Sequence, residues 1–523
     1  MGMVAPSQRI ASSYVVFFGV YGEVTRQAHE RGISRQAIYR QATATVAVLE
    51  GAAQGREVED GLREQVRQLR ARVAELEGDR SRSVVLTSAL QGQFAAVGVA
   101  QGVSLPALRA LLEVLKPGEA LSVAHLGRLT KAAGKRSGEL LPVLDECTRA
   151  LARQASLDEI YVKAPVLMVV EPDSLCWLTG QMTDAVTGAA WVEPLATFPA
   201  LEQATRDAGC ALKSGVAQLN ARRREQGLSA VADQLDHFHT VFEGNKARGR
   251  GERRLRRALE KAETQQKEVD HKRQQGESVV GLTTKANRLW AAAEREMDQA
   301  MAVDQAWQKT QAALRLFTPA GELNTRTQAT AVLAETLPQL PDADFAKTKR
   351  LLQQPETLTY LDEVQRKLAA VPAPAAVKQA AVRIEGLRRH PELLRGDSPS
   401  AAALRGVLLA YTVVLAKAEE VGAQTLEDVR KIFRTTWRAS SLVEGVNSVL
   451  RMHQARHRKL TQGLVDLKRL YWNCHVFRTG RRKNQTPYQR LGLPWPDGLA
   501  WWDLLKMTPE QLRDKLSALN KAK

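Results

Sequence analysis

Cysteine is scarce in this chain: Cys147, Cys176, Cys210 and Cys474 are the only four in 523 residues, far apart and without a Cys-x-x-Cys pair. That excludes zinc fingers and a disulfide framework and leaves buried, reduced thiols. There is no Gly-x-x-x-x-Gly-Lys-[Ser/Thr] loop to cradle nucleotide phosphates, which removes an ATP-driven reading, and no Gly-x-Ser-x-Gly nucleophile elbow. Uninterrupted apolar runs of roughly eighteen residues, the length that spans a bilayer, are also missing. The opening MGMVAPSQRIASSYVVFFGVYG has too short and too interrupted an apolar core for a signal peptide, so a cytoplasmic, nucleoid-associated location is expected.

What the chain has in excess is positive charge. A formal net charge of +18 and a pI of about 9.8 attract polyanions, and nucleic acid is the first reading, with an anionic membrane the weaker one. The balance of 44% hydrophobic and 25% charged residues is that of a globular protein, long enough for about three or four domains.

Near the N-terminus, Val24, Ala28, Ile33, Ile38 and Ala42 are spaced for two short helices sharing a core, with Gly32 at the turn and Ser34 as N-cap of the second helix. The early positions of that second helix, Arg35, Gln36, Tyr39 and Arg40, are of the types that reach base edges and phosphates, so residues 1–55 read as a helix-turn-helix DNA-binding domain, or else as a plain packing unit. Leu62, Val66, Leu69, Val73 and Leu76 follow at heptad spacing, as a short coiled coil between protomers or a helix folded back on its own chain. The rest of 56–150 is helical, with Gly134 as the turn of a second helix-turn-helix or as part of a connector.

After Ser156, LDEIYV, APVLMVVEP and SLCWLTGQM read as successive antiparallel strands, each short, rich in Val, Ile, Leu and aromatics, and bounded by turn signals. From about Lys246 to Arg434 the pattern is helical throughout, with breaks at TPAGEL, LPQLPDAD, VPAPAA and GDSPS. Beyond it, Leu442, Val446, Val449 and Leu450, then Leu460, Leu464, Leu467 and Leu470, give two amphipathic helices with one core face each. The other face of the first is expected to carry Glu444, Asn447 and Arg451 in one row, followed by Arg456, His457, Arg458 and Lys459. A carboxylate, an amide and cations so placed suit a metal ion working on a phosphodiester held by the cations; a solvated helix face is the plain alternative.

The string SSLVEGVNSVLR, the basic segment after it and YWNCHVFRTGRRKNQTPYQRLGL together resemble the C-terminal part of the catalytic domain of bacterial insertion-sequence transposases of the DDE type. The resemblance implies an RNase H-like core in two parts, 151–245 and 434–523, interrupted by a helical insertion over 246–433. It is a mixed-sheet core, so the fold class expected is α+β or α/β with helical flanks. It also implies Glu444 as the third catalytic carboxylate. The first falls on Asp158 of the first strand, ahead of the weaker candidates Asp173 and Asp184. The second is Asp207, which with Ala208, Gly209, Gly215 and Val216 matches the family's element at the end of the fourth strand, apart from Ala208 where Gly is commoner. Asp236 and His239 match its D-x-x-H element; a structural histidine is the other reading, and no complete zinc ligand set surrounds them.

The implied chemistry is strand cleavage and transfer at inverted-repeat ends with two Mg²⁺ or Mn²⁺ ions about 3.5 to 4 Å apart on acidic ligands. Such a site needs neither His nor Cys, in keeping with a chain poor in both. The partners implied are transposon-end and target DNA, with the protein a dimer or higher oligomer on it. A non-catalytic, transposase-derived DNA-binding regulator is the alternative from another class.

Overall fold

Small apolar residues at helical spacing build the N-terminal unit, Met1–Thr87, from α1 (Pro6–Phe18), α2 (Glu23–Glu30), α3 (Arg35–Ala52) and α4 (Arg56–Arg82). The structure is a computed structural model that describes residues 5–521 except 53–55, 83–84, 116, 119–120, 163, 397, 457–459 and 497. Ala28, Ile38 and Ala42 are buried with Val15 of α1, a third helix the spacing did not announce. The turn between α2 and α3 passes through Gly32 at φ +61°, a left-handed conformation that costs glycine little. Ser34 Oγ then accepts from Ala37 N at 3.2 Å, capping α3. Along α4, Leu62 and Val73 are half-buried and Val66 and Leu69 exposed, while the side chain of Leu76 lies outside the described residues.

The second unit, Ser88–Lys523, is built on a five-stranded mixed sheet. The three apolar segments become β1 (Gln154–Val162), β2 (Ala164–Val170) and β3 (Trp177–Met182), an antiparallel meander. On the other edge of β1, the short strands β4 (Gln203–Arg206) and β5 (Ala232–Leu235) add in parallel, giving the order β3-β2-β1-β4-β5. The chain is otherwise mostly helical, an α+β arrangement.

Strand alternation gives the sheet two buried faces. On one, Leu157, Leu167, Val169 and Leu178 pack with α7 (Val123–Thr148), α8 (Gly188–Ala196), α9 (Cys210–Glu225) and part of α20 (Gln462–Cys474). On the other, Ile160, Val166, Met168 and Val170 pack with Val443, Val446 and Leu450 of α19 (Ser441–Arg456). The helices α5 (Ser88–Ala100) and α6 (Leu105–Leu115) precede α7, and Ala96 and Ala100 share its core.

Gly134 is not a turn. It lies inside the continuous helix α7, where a Cβ would come within 2.6 Å of the Gly463 carbonyl oxygen, so two glycines let α7 and α20 cross backbone to backbone. Asn473 of α20 ties on the outer strand, accepting from Trp177 N at 2.8 Å and donating to Trp177 O at 2.9 Å. Next to it the buried Arg469 bonds Asp145 and the carbonyls of Trp177 and Leu178.

The helical region between β5 and α19 opens with two long helices, α10 (His237–Gln274) and α11 (Val280–Ala313), packed as a hairpin. It continues through α12 (Arg326–Thr336), α13 (Asp342–Leu352), α14 (Thr359–Ala369), α15 (Ala375–Arg388), α16 (Pro391–Arg395), α17 (Pro399–Lys417) and α18 (Glu419–Arg434) around two cores of its own. Among the described residues α17 alone is long and apolar enough, by length and composition, to cross a membrane. The stretch is broken by Arg405, and α17 contributes Leu415 to the core it shares with α15 and α18. All four cysteines are free; Cys176 and Cys474 are buried, but Cys147 is half-buried and Cys210 exposed, which corrects the expectation of four buried thiols.

Candidate active site

The strand register places the first two carboxylates. Leu157 of β1 pairs with Arg206 of β4, and Arg206 pairs with Leu235 of β5, so Asp158, Asp207 and Asp236 each stand one residue beyond these pairs. They lie side by side where the parallel strands end, the edge at which open sheets place their ligands. Asp207 then turns the chain into α9, its Oδ1 accepting from Gly209 N at 2.7 Å. The Gly215–Val216 pair lies within that helix, where Gly215 faces Trp191 of α8 so closely that a Cβ would stand 2.5 Å from the Trp191 Cβ.

Carboxylate oxygens of Asp158, Glu159 and Asp207 all lie within 4.8 Å of one another. Glu159 is the member that sequence reasoning missed. Alternation sends it to the face of β1 opposite Asp158, but Asp207 sits past the end of β4, where carboxylates from either face reach it. Trp191 Nε1 donates to Glu159 Oε1 at 3.2 Å and fixes its position. Burial, followed by the charges of Glu444 and Asp207, pushes the Asp158 carboxyl up to about 6. Burial, followed by the charge of Asp207, pushes Glu159 up to about 7.

Glu444 stands outside this tight group. Its Oε2 accepts from Arg451 at 2.6 Å, along the same helix, yet its charge is near enough to raise Asp158. Asn447 does not share the exposed row with them. With Val443, Val446 and Leu450 it occupies the stripe facing the sheet, fully buried, and its Nδ2 donates to Asp158 Oδ2 at 2.6 Å. Among the described residues its Oδ1 is buried without a partner, a cost a native site seldom carries without a use.

Asp236 caps α10, accepting from Phe238 N at 2.6 Å, while its Oδ2 accepts from Ser440 Oγ at 2.6 Å and bonds His239 Nδ1 at 2.8 Å. Burial alone would raise this carboxyl, but the bonds from His239 and Ser440 hold it below its usual value. His239 is raised in turn, first by that bond and further by the charges of Asp207 and Asp158. Ser440 was also unforeseen, and it is what links the D-x-x-H element to the start of α19. The neighbouring His237 is buried, lowered to about 4 by that burial, and its Nε2 donates to Thr357 O at 2.7 Å, a structural role.

Asp173 and Asp184 lie away from the cluster. Asp173 holds the C-terminal tail, accepting from Arg481 at 2.7 Å and Arg490 at 2.9 Å, and Asp184 is exposed after β3. The tail itself is a short helix, Pro487–Leu491, with a Thr486/Gln489 capping box and Gly492 in the left-handed region at its end. Arg35, Gln36, Tyr39 and Arg40 are all exposed on α3. Arg458 and Lys459 lie outside the described residues, as does the side chain of Arg456.

The arrangement suits a hard divalent cation. Its donors are all oxygen, the like charges of Asp158, Glu159 and Asp207 crowd together, and the orphaned Asn447 Oδ1 adds a neutral acceptor beside Asp158. Compared with known proteins, the chain matches no family model, no curated protein and no solved structure.

Proposed function

We propose that this protein is a DDE-type transposase that cleaves and joins DNA at the inverted-repeat ends of an insertion sequence, with Asp158, Asp207 and Glu444 as its catalytic carboxylates. The observation that carries the reading is the meeting of Asp158 and Asp207 at adjacent strand ends beneath the helix bearing Glu444, although a helical region separates them in sequence. A mixed sheet that starts with three antiparallel strands, with Asp158 on the first strand and Asp207 just after the fourth, agrees with what the resemblance implies and supports the same reading. So does the polyanion-attracting charge of +18.

Two Mg²⁺ or Mn²⁺ ions, held by Asp158, Asp207 and Glu444, would supply an activated water or 3′-hydroxyl and stabilise the leaving oxygen. The chain's own residues prepare that chemistry. Asn447 orients the Asp158 carboxylate, and Trp191 keeps Glu159 against the pair. His239, favoured in its charged form by Asp236, would offer a cation to a phosphate oxygen. Arg451 holds Glu444 by an exposed ion pair, a weak restraint of about 0.2–1 kcal/mol that a metal ligand can leave. Exposed Arg35, Gln36, Tyr39 and Arg40 would read the element's ends, and the protein would work in the cytoplasm on nucleoid DNA as a dimer or higher oligomer.

The test is cleavage of a labelled duplex carrying the short inverted repeats that flank the coding region. Mg²⁺-dependent nicking at the repeat end is the expected result. Tight, sequence-selective binding with no cleavage in Mg²⁺ or Mn²⁺ would instead favour the non-catalytic regulator.

A further inference from the structure

Helix α10 leaves the candidate site at His239 and runs outward for the rest of its 38 residues with one face open to solvent. At 100° per residue, Phe238, Phe242, Lys246, Arg253, Arg256 and Arg257 fall within about 100° of one another, and all six are exposed. Gly249, the remaining small position on this face, leaves the backbone open between the lysine and the arginines. No carboxylate enters the stripe before Glu260. The neighbouring arginines are spoken for: Arg248 pairs with Asp304, and Arg250 and Arg254 with Asp344. Lys246, Arg253, Arg256 and Arg257 make no ion pair among the described residues.

The two phenylalanines at the catalytic end are 51% and 53% exposed, and their rings stack at 6.3 Å with planes 20° apart. A pair of large rings held in water is costly unless something covers it. The cations beyond them select a polyanion, and flat rings select a polyanion whose bases are unpaired, because duplex bases offer no free face to stack. A stretch of about 28 Å from Phe238 to Arg257 matches the backbone of a short single strand.

We infer that this stripe of α10 binds single-stranded nucleic acid, with a base stacked on Phe238 or Phe242 beside the carboxylates and the phosphates running outward over Lys246, Arg253, Arg256 and Arg257. The inference deepens the proposed function by naming the form of DNA that leaves the site, and it rests on that reading only for where the strand comes from. Stacking of unpaired bases needs no metal, so binding is measured apart from cleavage.

The experiment is fluorescence anisotropy of a labelled oligothymidylate and of a duplex of random sequence, with full-length protein in EDTA. Phe238→Ala/Phe242→Ala is expected to lose roughly tenfold or more in affinity for the single strand and little for the duplex. Arg253→Gln/Arg256→Gln/Arg257→Gln should flatten the salt dependence of single-strand binding by about two, at roughly 0.7 per phosphate contact. Photocrosslinking of 5-iododeoxyuridine-substituted strand to the wild-type protein should label Phe238 or Phe242, a readout that needs no variant to fold. Wild-type affinity for oligothymidylate in the phenylalanine variant, equal losses for strand and duplex, or crosslinks that all fall outside α10 would each overturn the inference. Cleavage without stripe binding would reject this inference alone, and stripe binding without cleavage would reject the catalytic reading alone.

Discussion

Asp158 and Glu159 are carboxylic acids held partly buried beside further carboxylates, and their proton affinity becomes a property of the whole fold. Both are raised in the folded state, to about 6 and about 7, so the metal-free protein keeps protons that the unfolded chain has released by about pH 5. Their contribution to stability is therefore full below about pH 4 and is lost as pH rises through 6 and 7. Thermal unfolding in EDTA should show stability falling across that window by a few kcal/mol, on the order of 1.4 for each unit of displacement. Glu159→Gln should remove the upper part of the fall, and added Mg²⁺ should stabilise more at pH 8 than at pH 5. Asn447→Ala tests the neighbour: losing its bond to Asp158 should cost about 1.5–3 kcal/mol at neutral pH, where Asp158 is charged, and less below pH 5. Equal cost at both pH values would mean that Asn447 acts by packing alone.

At the scale of elements, α3 and α7 carry the clearest tests. If Arg35, Gln36 and Tyr39 read base edges, their replacement by Ala should relax preference at particular positions of the end sequence, as selection from a randomised duplex pool would reveal. Arg456→Ala should instead weaken all sequences and lower the salt slope by about one. Gly134→Val drives a side chain into the Gly463 backbone and should cost at least 1–3 kcal/mol by denaturant unfolding, whereas a turn glycine at φ below zero would tolerate it. Both elements show how far the sequence can be read. The meander was legible because short β-branched runs between Pro and Asp turns allow little else, and the start of α3 because Gly32 and Ser34 each perform a local task. Asp236 and His239 came from the resemblance alone, and the bond between them was not foreseen. Gly134 was misplaced because a glycine needed for close helix crossing looks, in sequence, like one needed for a turn. Asn447 was assigned to the exposed row because it lies at the border of the core stripe, and only the sheet beneath decides which way a border residue faces. Glu159 was passed over because alternation along one strand carries no information about where the neighbouring strand stops.

At the scale of the molecule, the N-terminal unit offers a helix whose heptad positions Val66 and Leu69 are 45% and 57% exposed. The proposed joining of two DNA ends calls for two copies, and α4 is offered as the place where they meet. Sedimentation equilibrium should find at least a dimer on end DNA, and Val66→Asp/Leu69→Asp should return it to a monomer while each unit keeps its fold; a dimer that survives both substitutions would place the interface elsewhere. The catalytic reading depends on one shared site for Asp158, Asp207 and Glu444, and a Mn²⁺ titration followed by electron paramagnetic resonance measures that most directly. Two ions per chain are expected for the wild type on end DNA. Asp207→Asn and Glu444→Gln, which nearly preserve volume, should keep the fold and DNA binding but each lose at least one ion together with cleavage. Undiminished Mn²⁺ binding and cleavage in either variant would contradict the shared site.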